Sequence, residues 1–152
     1  MRYLLILLIA VAGMAVWQGC KTHKYTLDKY EGPRLTFGTG GGFTGMVKEF
    51  SLLSNGQIFM KYNNGDPVEQ PKIKKKQAKK LFKMAEELQL LEKTYNHPGN
   101  KYYFIEFHKD GKEAKSVWGN GKQFMNPKLH AFYKEFMNQL LTKKAENTDA
   151  SE

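Results

Sequence analysis

The chain has 152 residues, of which 24 are lysine or arginine and 15 are aspartate or glutamate, so its formal net charge is +9 at pH 7. Such a surplus favours anionic partners, among which nucleic acid is the usual one. Cys20 is the only cysteine, which excludes an intrachain disulfide. The domain must therefore fold on its hydrophobic core alone.

The first twenty residues predict a targeting segment. Arg2 supplies a positive start, Leu4 to Val16 is apolar and uncharged, and Gly19-Cys20 closes the segment. The pattern resembles a bacterial lipoprotein signal peptide, in which the cysteine is lipidated and becomes the new N-terminus. An uncleaved N-terminal membrane anchor is the alternative interpretation. An exported protein rarely meets nucleic acid, so we expect no nucleic-acid partner.

Composition divides the chain into four parts. Residues 1–19 are the predicted signal peptide, and residues 20–34 are a lipidated cysteine followed by a polar tether. Residues 35–143 are long enough for a single α+β domain with one core. The small, acidic segment 144–152 is predicted to be a disordered tail.

A glycine-rich stretch, FGTGGGFTG, covers Phe37 to Gly45 and holds five glycines in nine residues. A dinucleotide fingerprint would need a helix directly after it, and a phosphate loop would need Gly-Lys-Ser/Thr at its end. Residues 46–53 instead resemble a strand that leads into a turn at Asn55-Gly56. The stretch is therefore interpreted as a wide turn between two strands, or as a nest of backbone N–H groups for a carboxylate or phosphate.

The remaining elements follow in two similar units. The first has strands at 46–53 and 57–62, a strand-like stretch at 68–73 and a helix at 75–92. The second has strands at 101–108 and 112–118 and a helix at 127–143. Asn55-Gly56 and Asp110-Gly111 both favour two-residue type I′ hairpins. The prediction is an α+β fold, an antiparallel sheet with two helices on one face and a possible tandem ββα repeat.

If Asp110-Gly111 is the two-residue loop of the second hairpin, it fixes which residues of the two strands lie opposite each other. The charged pairs then share the face exposed to water, and the aromatic side chains face inward. His108 with Glu106 and Glu113 is accordingly interpreted as a surface ion-pair ladder and not as an acid–base set. The predicted pairs are His108–Glu113, Glu106–Lys115, Tyr103–Trp118 and Phe107–Ala114.

A basic helix is predicted after the first hairpin. Ala78, Leu81 and Ala85 recur at helical spacing, and lysines fill the positions between them. Such a face is interpreted as a solvated helix surface, or as a surface that contacts a membrane or a partner. The basic patch consists of Lys75, Lys76, Lys79 and Lys80.

No motif for catalysis is found. The four histidines are scattered, none is paired at metal-ligand spacing, and no G-x-S-x-G or H-E-x-x-H pattern occurs. We therefore expect no enzyme activity, no metal, no cofactor and no small-molecule substrate.

Three motifs carry a resemblance to a known group. FGTGGGFTG, the YYFIEF of residues 102–107 and the Trp-Gly-Asn of residues 118–120 resemble small uncharacterised lipoproteins of Bacteroidetes-type bacteria. The resemblance implies an envelope location and a non-catalytic role. The basic residues 21–24 after the cysteine favour the periplasmic face of the outer membrane over display at the cell surface.

Two hypotheses for the function remain open. The first is a lipid-tethered, non-catalytic interaction module that presents the glycine-rich loop to an envelope protein. Phe43 is then expected to be exposed or half-exposed near the turn of Trp118. The second is a binder of an anionic envelope ligand, such as a lipid headgroup, lipid A or peptidoglycan, through loop amides, Arg34 and the basic helix. The candidate contact residues are Gly40, Gly41, Gly42, Phe43, Thr44, Trp118 and Asn120.

Overall fold

A computed structural model describes residues 24–149. The predicted signal peptide (1–19), the predicted lipidation site Cys20 and the last residues of the predicted tail lie outside the described residues. No helix within the described part of the chain is long and apolar enough to cross a membrane.

Seven strands form one sheet in the order β4-β3-β2-β1-β6-β7-β5, and two helices accompany it. All neighbouring strands are antiparallel except β5 and β7, which are parallel. The strands are β1 (Arg34–Gly41), β2 (Lys48–Leu53), β3 (Ile58–Tyr62), β4 (Val68–Gln70), β5 (Asn96–His97), β6 (Lys101–Lys109) and β7 (Lys112–Gly119). The helices are α1 (Lys75–Glu87) and α2 (Pro127–Asp149), and short 3₁₀ turns occupy Leu27–Lys29 and Lys122–Phe124.

The hydrophobic core lies between one face of the sheet and both helices. Phe37 of β1 stacks on Phe136 of α2 with ring centroids 4.1 Å apart. Phe107 of β6 pairs with Leu35 of β1, so the two side chains share one face of the sheet. The ring of Phe107 also packs on Phe82 of α1, with centroids 6.1 Å apart. Because strand side chains alternate between faces, this arrangement places both helices on one side. The predicted α+β class is confirmed.

Helix α1 ends at Glu87, earlier than predicted, because a Schellman turn closes it. Gln89 takes a left-handed conformation, with φ of 55°. The N–H of Leu90 then donates to the carbonyl of Ala85 at 3.2 Å, and Gln89 N–H donates to the carbonyl of Glu86 at 2.8 Å. The turn directs Leu90 back into the core.

Helix α2 begins where the sequence predicted and ends later. The side chain of Asn126 accepts hydrogen bonds from the N–H groups of Lys128 and Leu129 at 3.2 and 3.3 Å, which caps the helix. Phe132, Phe136 and Leu140 lie on its buried stripe. The helix was predicted to end at 143 but continues to Asp149, so the expectation of a disordered tail from 144 is wrong for residues 144–149.

The two hairpin turns differ from each other. Asp110 and Gly111 both have positive φ, 52° and 72°, as the predicted type I′ turn requires. The first turn instead has a three-residue loop, because Leu53 N–H donates to the carbonyl of Gln57 at 2.9 Å and only Gly56 has positive φ. The two-residue turn predicted there is wrong. The helices of the two predicted repeat units differ in length, with 13 residues in α1 and 23 in α2. The tandem repeat is therefore not confirmed and stays a prediction.

The segment before β1 packs on the sheet. The N–H of Tyr25 donates to the side chain of Gln57 at 2.9 Å, and the amide of Gln57 donates back to the carbonyl of Tyr25 at 3.1 Å. The hydroxyl of Tyr30 lies 2.7 Å from that of Ser54. Residues from Tyr25 onward, which the sequence assigned to the tether, therefore belong structurally to the domain.

The strand directions give the molecule two ends. The tip end holds the loop 42–47, the turn 63–67 and the segment 98–100. The base end holds the turns 54–57 and 110–111 and the start of α1, because the N–H of Ile73 donates to the carbonyl of Gly56 at 3.1 Å. Tyr25 and Tyr30 contact the base end, so the chain enters the domain there.

Candidate functional site

The glycine-rich stretch divides between a strand and a loop. Phe37 to Gly41 belong to β1, the central strand of the sheet, and only residues 42–47 form the connection to β2. The expectation that the stretch joins two neighbouring strands is confirmed, but the turn is shorter than FGTGGGFTG. Phe37 to Thr39 pair with both β2 and β6, and Gly40 and Gly41 pair with β6 alone.

Two of the glycines allow aromatic rings of β6 to cover β1. A Cβ on Gly38 would lie 2.0 Å from the ring of its partner Phe104, and one on Gly40 would lie 2.7 Å from the hydroxyl of Tyr102. Neither space accommodates a side chain. Gly40 therefore leaves room for the ring of Tyr102, which lies across it.

The loop itself, residues 42–47, is held at both ends. Gly42 N–H donates to the carbonyl of Asn100 at 2.7 Å. At the other end, Val47 N–H donates to the side chain of Asn63 at 2.8 Å, and Asn63 N–H donates to the carbonyl of Val47 at 2.8 Å. Gly41, Gly42 and Gly45 have φ of 85°, 74° and 63°, in the left-handed region that glycine adopts most readily. The glycines thus shape a defined loop.

The loop amides are mostly engaged within the chain. Besides Gly42 and Val47, Gly45 N–H donates to the carbonyl of Gly42 at 3.3 Å, and Met46 N–H lies 3.4 Å from the hydroxyl of Thr44. A nest for an anion needs consecutive N–H groups that point into one concavity. Four of the six loop N–H groups are thus directed at oxygens of the chain itself, and the nest stays a prediction for the consecutive N–H groups of Phe43 and Thr44.

Phe43 is the most exposed apolar side chain of the loop. Its exposure is 107% of the reference value, and Met46 in the same loop is 49% exposed. Tyr62, at the end of β3, is 44% exposed and lies beside Lys48, whose ammonium is 5.3 Å from its ring centroid. We call Phe43, Met46 and Tyr62 the tip surface. The predicted exposure of Phe43 is confirmed.

Trp118 does not belong to this surface. It is 0% exposed, and its indole N–H donates to Nδ1 of His130 at 3.4 Å. Its ring packs on Tyr103 at 5.9 Å and on Tyr133 at 6.0 Å. Its assignment as a partner-binding residue is therefore wrong, because α2 covers it. Asn120 is exposed at the tip end, where its N–H donates to the carbonyl of Lys101 at 3.2 Å.

The predicted ladder of His108 with Glu106 and Glu113 is confirmed only in part, because two ion pairs lie on this face and neither includes His108. All four predicted cross-strand pairs are confirmed. Lys115 lies 3.7 Å from Glu106, and Arg34 lies 3.8 Å from Glu113. Burial, followed by the charge of Glu113, raises the pKa of Glu106 above its ordinary value. Within residues 24–149, no group of three histidine, cysteine, aspartate or glutamate side chains could hold a metal ion.

The basic patch lies far from the loop. Lys75, Lys76, Lys79 and Lys80 occupy the first half of α1, which begins at the base end. Arg34 also lies there, at the start of β1, and is paired with Leu53 and His108. The structure therefore does not bring the loop, Arg34 and the basic helix together. A single anion site built from all three, as the second hypothesis requires, does not form.

Sequence reasoning missed two contributors to this arrangement. One is the docking of Tyr25 and Tyr30, for which paired aromatic residues in an otherwise polar tether were the available signal. The other is Asn63, whose side chain fixes the end of the loop. The chain matches no protein-family model and no curated protein sequence.

Proposed function

We propose that the protein is a lipid-anchored, non-catalytic interaction module of the cell envelope whose tip surface binds a protein partner. The observation that carries the proposal is the complete exposure of Phe43 on a loop fixed at both ends. An aromatic side chain on a rigid loop contributes large contact area and loses little conformational entropy on binding.

The position of the N-terminal segment supports a molecule whose tip surface faces away from the membrane. The chain enters at the base end through Tyr25 and Tyr30, and β1 separates that end from the tip. An eight-residue strand spans about 27 Å at roughly 3.4 Å per residue. An acyl chain on Cys20 would therefore hold the base end near the membrane and leave the tip surface accessible to proteins. We place the anchor at the periplasmic face of the outer membrane.

The partner is tested by site-specific photo-crosslinking in cells that express the protein. A photoreactive phenylalanine analogue replaces Phe43, and the same analogue at Leu141, an exposed apolar position on α2, is the matched control. We expect a discrete crosslinked protein from position 43 that is absent from position 141. Identical products from both positions, or none from position 43, would contradict the proposal.

With the partner identified, affinity separates an apolar contact from a charge-driven one. Phe43→Ser is expected to weaken binding by at least about 30-fold, the magnitude of an interface hot spot. A tenfold rise in ionic strength is expected to change the affinity little, because apolar contacts are not screened by salt. A strong salt dependence with an unaffected Phe43→Ser variant would favour an anionic ligand instead.

The anchor and its location are tested separately. Mass spectrometry of the mature protein is expected to show an N-terminus at an acylated Cys20. External protease is expected to leave the protein intact in whole cells and to digest it after the outer membrane is permeabilised. A mature protein that starts elsewhere and lacks acyl chains would refute the anchor but not the partner site.

A further inference from the structure

A second surface of the molecule, at the base end, is strongly basic. It consists of lysines at the start of α1 and just before it, which we call the base lysine surface: Lys72, Lys74, Lys75, Lys76 and Lys79. All five side chains are exposed. None of them has an ion-pair partner among the side chains that the structure describes, whereas Lys80 and Lys83 on the same helix pair with Glu135 and Glu87 at 3.0 and 3.4 Å.

Lys74, Lys75 and Lys76 occupy the N-cap and the first turn of α1, where positive charge opposes helix stability. The N-terminus of a helix carries the positive end of its dipole, where acidic side chains are favourable and lysines are not. The first turn of α1 contains no acidic residue. The side chain of Gln77 accepts a hydrogen bond from Lys74 N–H at 3.0 Å, which satisfies one backbone donor but supplies no negative charge. A concentration of positive charge at a site that disfavours it indicates a partner that supplies negative charge.

The base lysine surface adjoins the segment through which the chain enters. Lys75 and Lys79 line an open depression of about 240 Å³ together with Pro33 and Ser54, and Ser54 is the residue that Tyr30 contacts. Phe82 contributes an apolar wall to this depression. The one carboxylate there, Glu86, accepts a hydrogen bond from Lys109 at 2.6 Å, so its charge is compensated.

The short distance between the proposed anchor at Cys20 and the domain indicates that the base lysine surface faces the membrane. Lys24 lies four positions after Cys20, a span of at most about 14 Å when extended. A domain held so closely, with its entry point at the base end, turns that end toward the bilayer. A membrane that carries anionic lipids attracts each nearby lysine.

We propose that the base lysine surface binds the phosphate groups of anionic phospholipids in the membrane that holds the anchor. The domain then lies with its base end on the bilayer and its tip surface directed away. This inference goes beyond partner binding and depends on the proposed function only through the anchor at Cys20. The inference assigns the tip end to the protein partner and the base end to the membrane.

The test uses the chain from residue 21 onward, which lacks Cys20 and retains the whole hydrophobic core, Leu35 to Leu140. Binding is measured by co-sedimentation with vesicles of equal parts phosphatidylglycerol and phosphatidylcholine, and with phosphatidylcholine alone. We expect binding to the anionic vesicles only, weakening steeply as salt rises. Equal binding to both kinds of vesicle, or binding to neither, would overturn the proposal.

Two charge-reversal variants with equal net charge locate the contact. Lys75→Glu, Lys76→Glu and Lys79→Glu together are expected to weaken vesicle binding at least about tenfold. Glutamates in the first turns suit the helix dipole, so loss of folding would not explain that result. The control variant reverses three exposed lysines outside the base lysine surface, by Lys101→Glu, Lys122→Glu and Lys128→Glu. Equal weakening by both variants would show that net charge alone binds the vesicles and would refute the assigned surface.

The orientation of the domain on the vesicle surface is measured independently with a polarity-sensitive dye. The chain from residue 21 has no cysteine, so Lys72→Cys and Phe43→Cys each give a single labelling site. We expect vesicles to shift the emission of the dye at position 72 and to leave the emission at position 43 unchanged. A shift at position 43 alone would reverse the orientation and overturn the proposal. The photo-crosslinking at Phe43 is unaffected by any of these results, so the two proposals fail separately.

Discussion

The ring of Phe104 lies over Gly38 at the place where a side chain of residue 38 would begin. The two residues pair across β1 and β6, and Phe104 is fully buried although it faces away from the helices. The ammonium of Lys115 lies 4.0 Å from the centroid of the same ring, on β7. One aromatic side chain thus covers the glycine of the central strand and is itself covered by a cation.

Gly38→Ala is expected to destabilise the fold by about 1–3 kcal/mol, because the new Cβ would overlap the ring of Phe104. Urea unfolding measures the loss. The same change in a Phe104→Ala background is expected to cost much less, since the obstructing ring is gone. Equal costs in the two backgrounds would show that the ring does not determine the need for glycine at position 38.

Gly41 and Gly42 are expected to differ on substitution by alanine. Both have positive φ, but a Cβ on Gly41 would lie 2.2 Å from the carbonyl oxygen of Asn100, whereas Gly42 faces only the flexible side chain of Lys101 at 3.2 Å. Gly41→Ala is therefore expected to lower the melting temperature more, by an amount that reflects about 1–3 kcal/mol of backbone strain and overlap. The Gly41→Ala protein that remains folded is expected to bind the partner as well as the original protein does. A larger thermal effect at Gly42 would contradict this assignment.

Tyr133 is expected to give the fold a pH-dependent stability in alkaline solution. Burial, followed by the neighbouring Tyr103, raises the pKa of Tyr133 from 10.0 to about 12. The neutral phenol is therefore favoured in the folded state, and its contribution is fully present below pH 10 and lost as the pH rises through about 12. Thermal melts of the protein and of Tyr133→Phe measure this loss. Tyr62→Phe, at an exposed tyrosine, is the control and is expected to retain it. The same pH dependence in Tyr133→Phe would exclude Tyr133 as the cause.

Glu106 is expected to lower stability at neutral pH. Burial and then the charge of Glu113 raise its pKa, and the opposing charges of Lys115 and Arg34 do not reverse the shift. A carboxyl group with a raised folded-state pKa stabilises the fold below its unfolded pKa, and that contribution is lost as pH rises through the folded value. Glu106→Gln is therefore expected to be more stable than the original protein at pH 7.

Urea unfolding from pH 7 down to about 4, near the ordinary carboxyl pKa, measures the Glu106 effect. The stability difference between Glu106→Gln and the original protein is expected to shrink as the pH falls. Glu92→Gln, at an exposed position, is the control and should show no such trend. A difference that stays constant across the range would mean that folding does not shift the pKa of Glu106, and a Glu106→Gln variant that is less stable at pH 7 would mean that the ion pair with Lys115 outweighs burial of the charge.

Local patterns predicted much of the fold. The spacing of apolar residues indicated α1 and α2, Asn126 and Pro127 indicated where α2 begins, and Asp110-Gly111 determined the register of the second hairpin. These features depend on residues close together in the chain, whose hydrogen bonds and turn geometry form without distant partners. The exposure of Phe43 was predictable for the same reason, since a glycine-rich loop has few neighbours that could bury it.

The candidate site was only partly predictable because distant contacts decide it. Glycines in FGTGGGFTG indicate a loop by local preference, yet β6 pairs with residues 37–41 and β2 pairs with residues 37–39, which makes this part of the stretch a strand. Trp118 ends a strand near an exposed turn, but His130 and Tyr133 of α2 bury it. Neither outcome is encoded in the residues adjacent to the position concerned.

By itself the sequence determined the composition of the two surfaces: an apolar side chain on a glycine-rich loop and a row of lysines on a helix. Only the tertiary structure decided that they lie at opposite ends. The reason is the antiparallel path of β1 and β2, which carries the loop to one end of the sheet and the β2–β3 turn to the other. The hydrogen bond from Ile73 to Gly56 then fixes the start of α1 beside that turn, and with it the lysines.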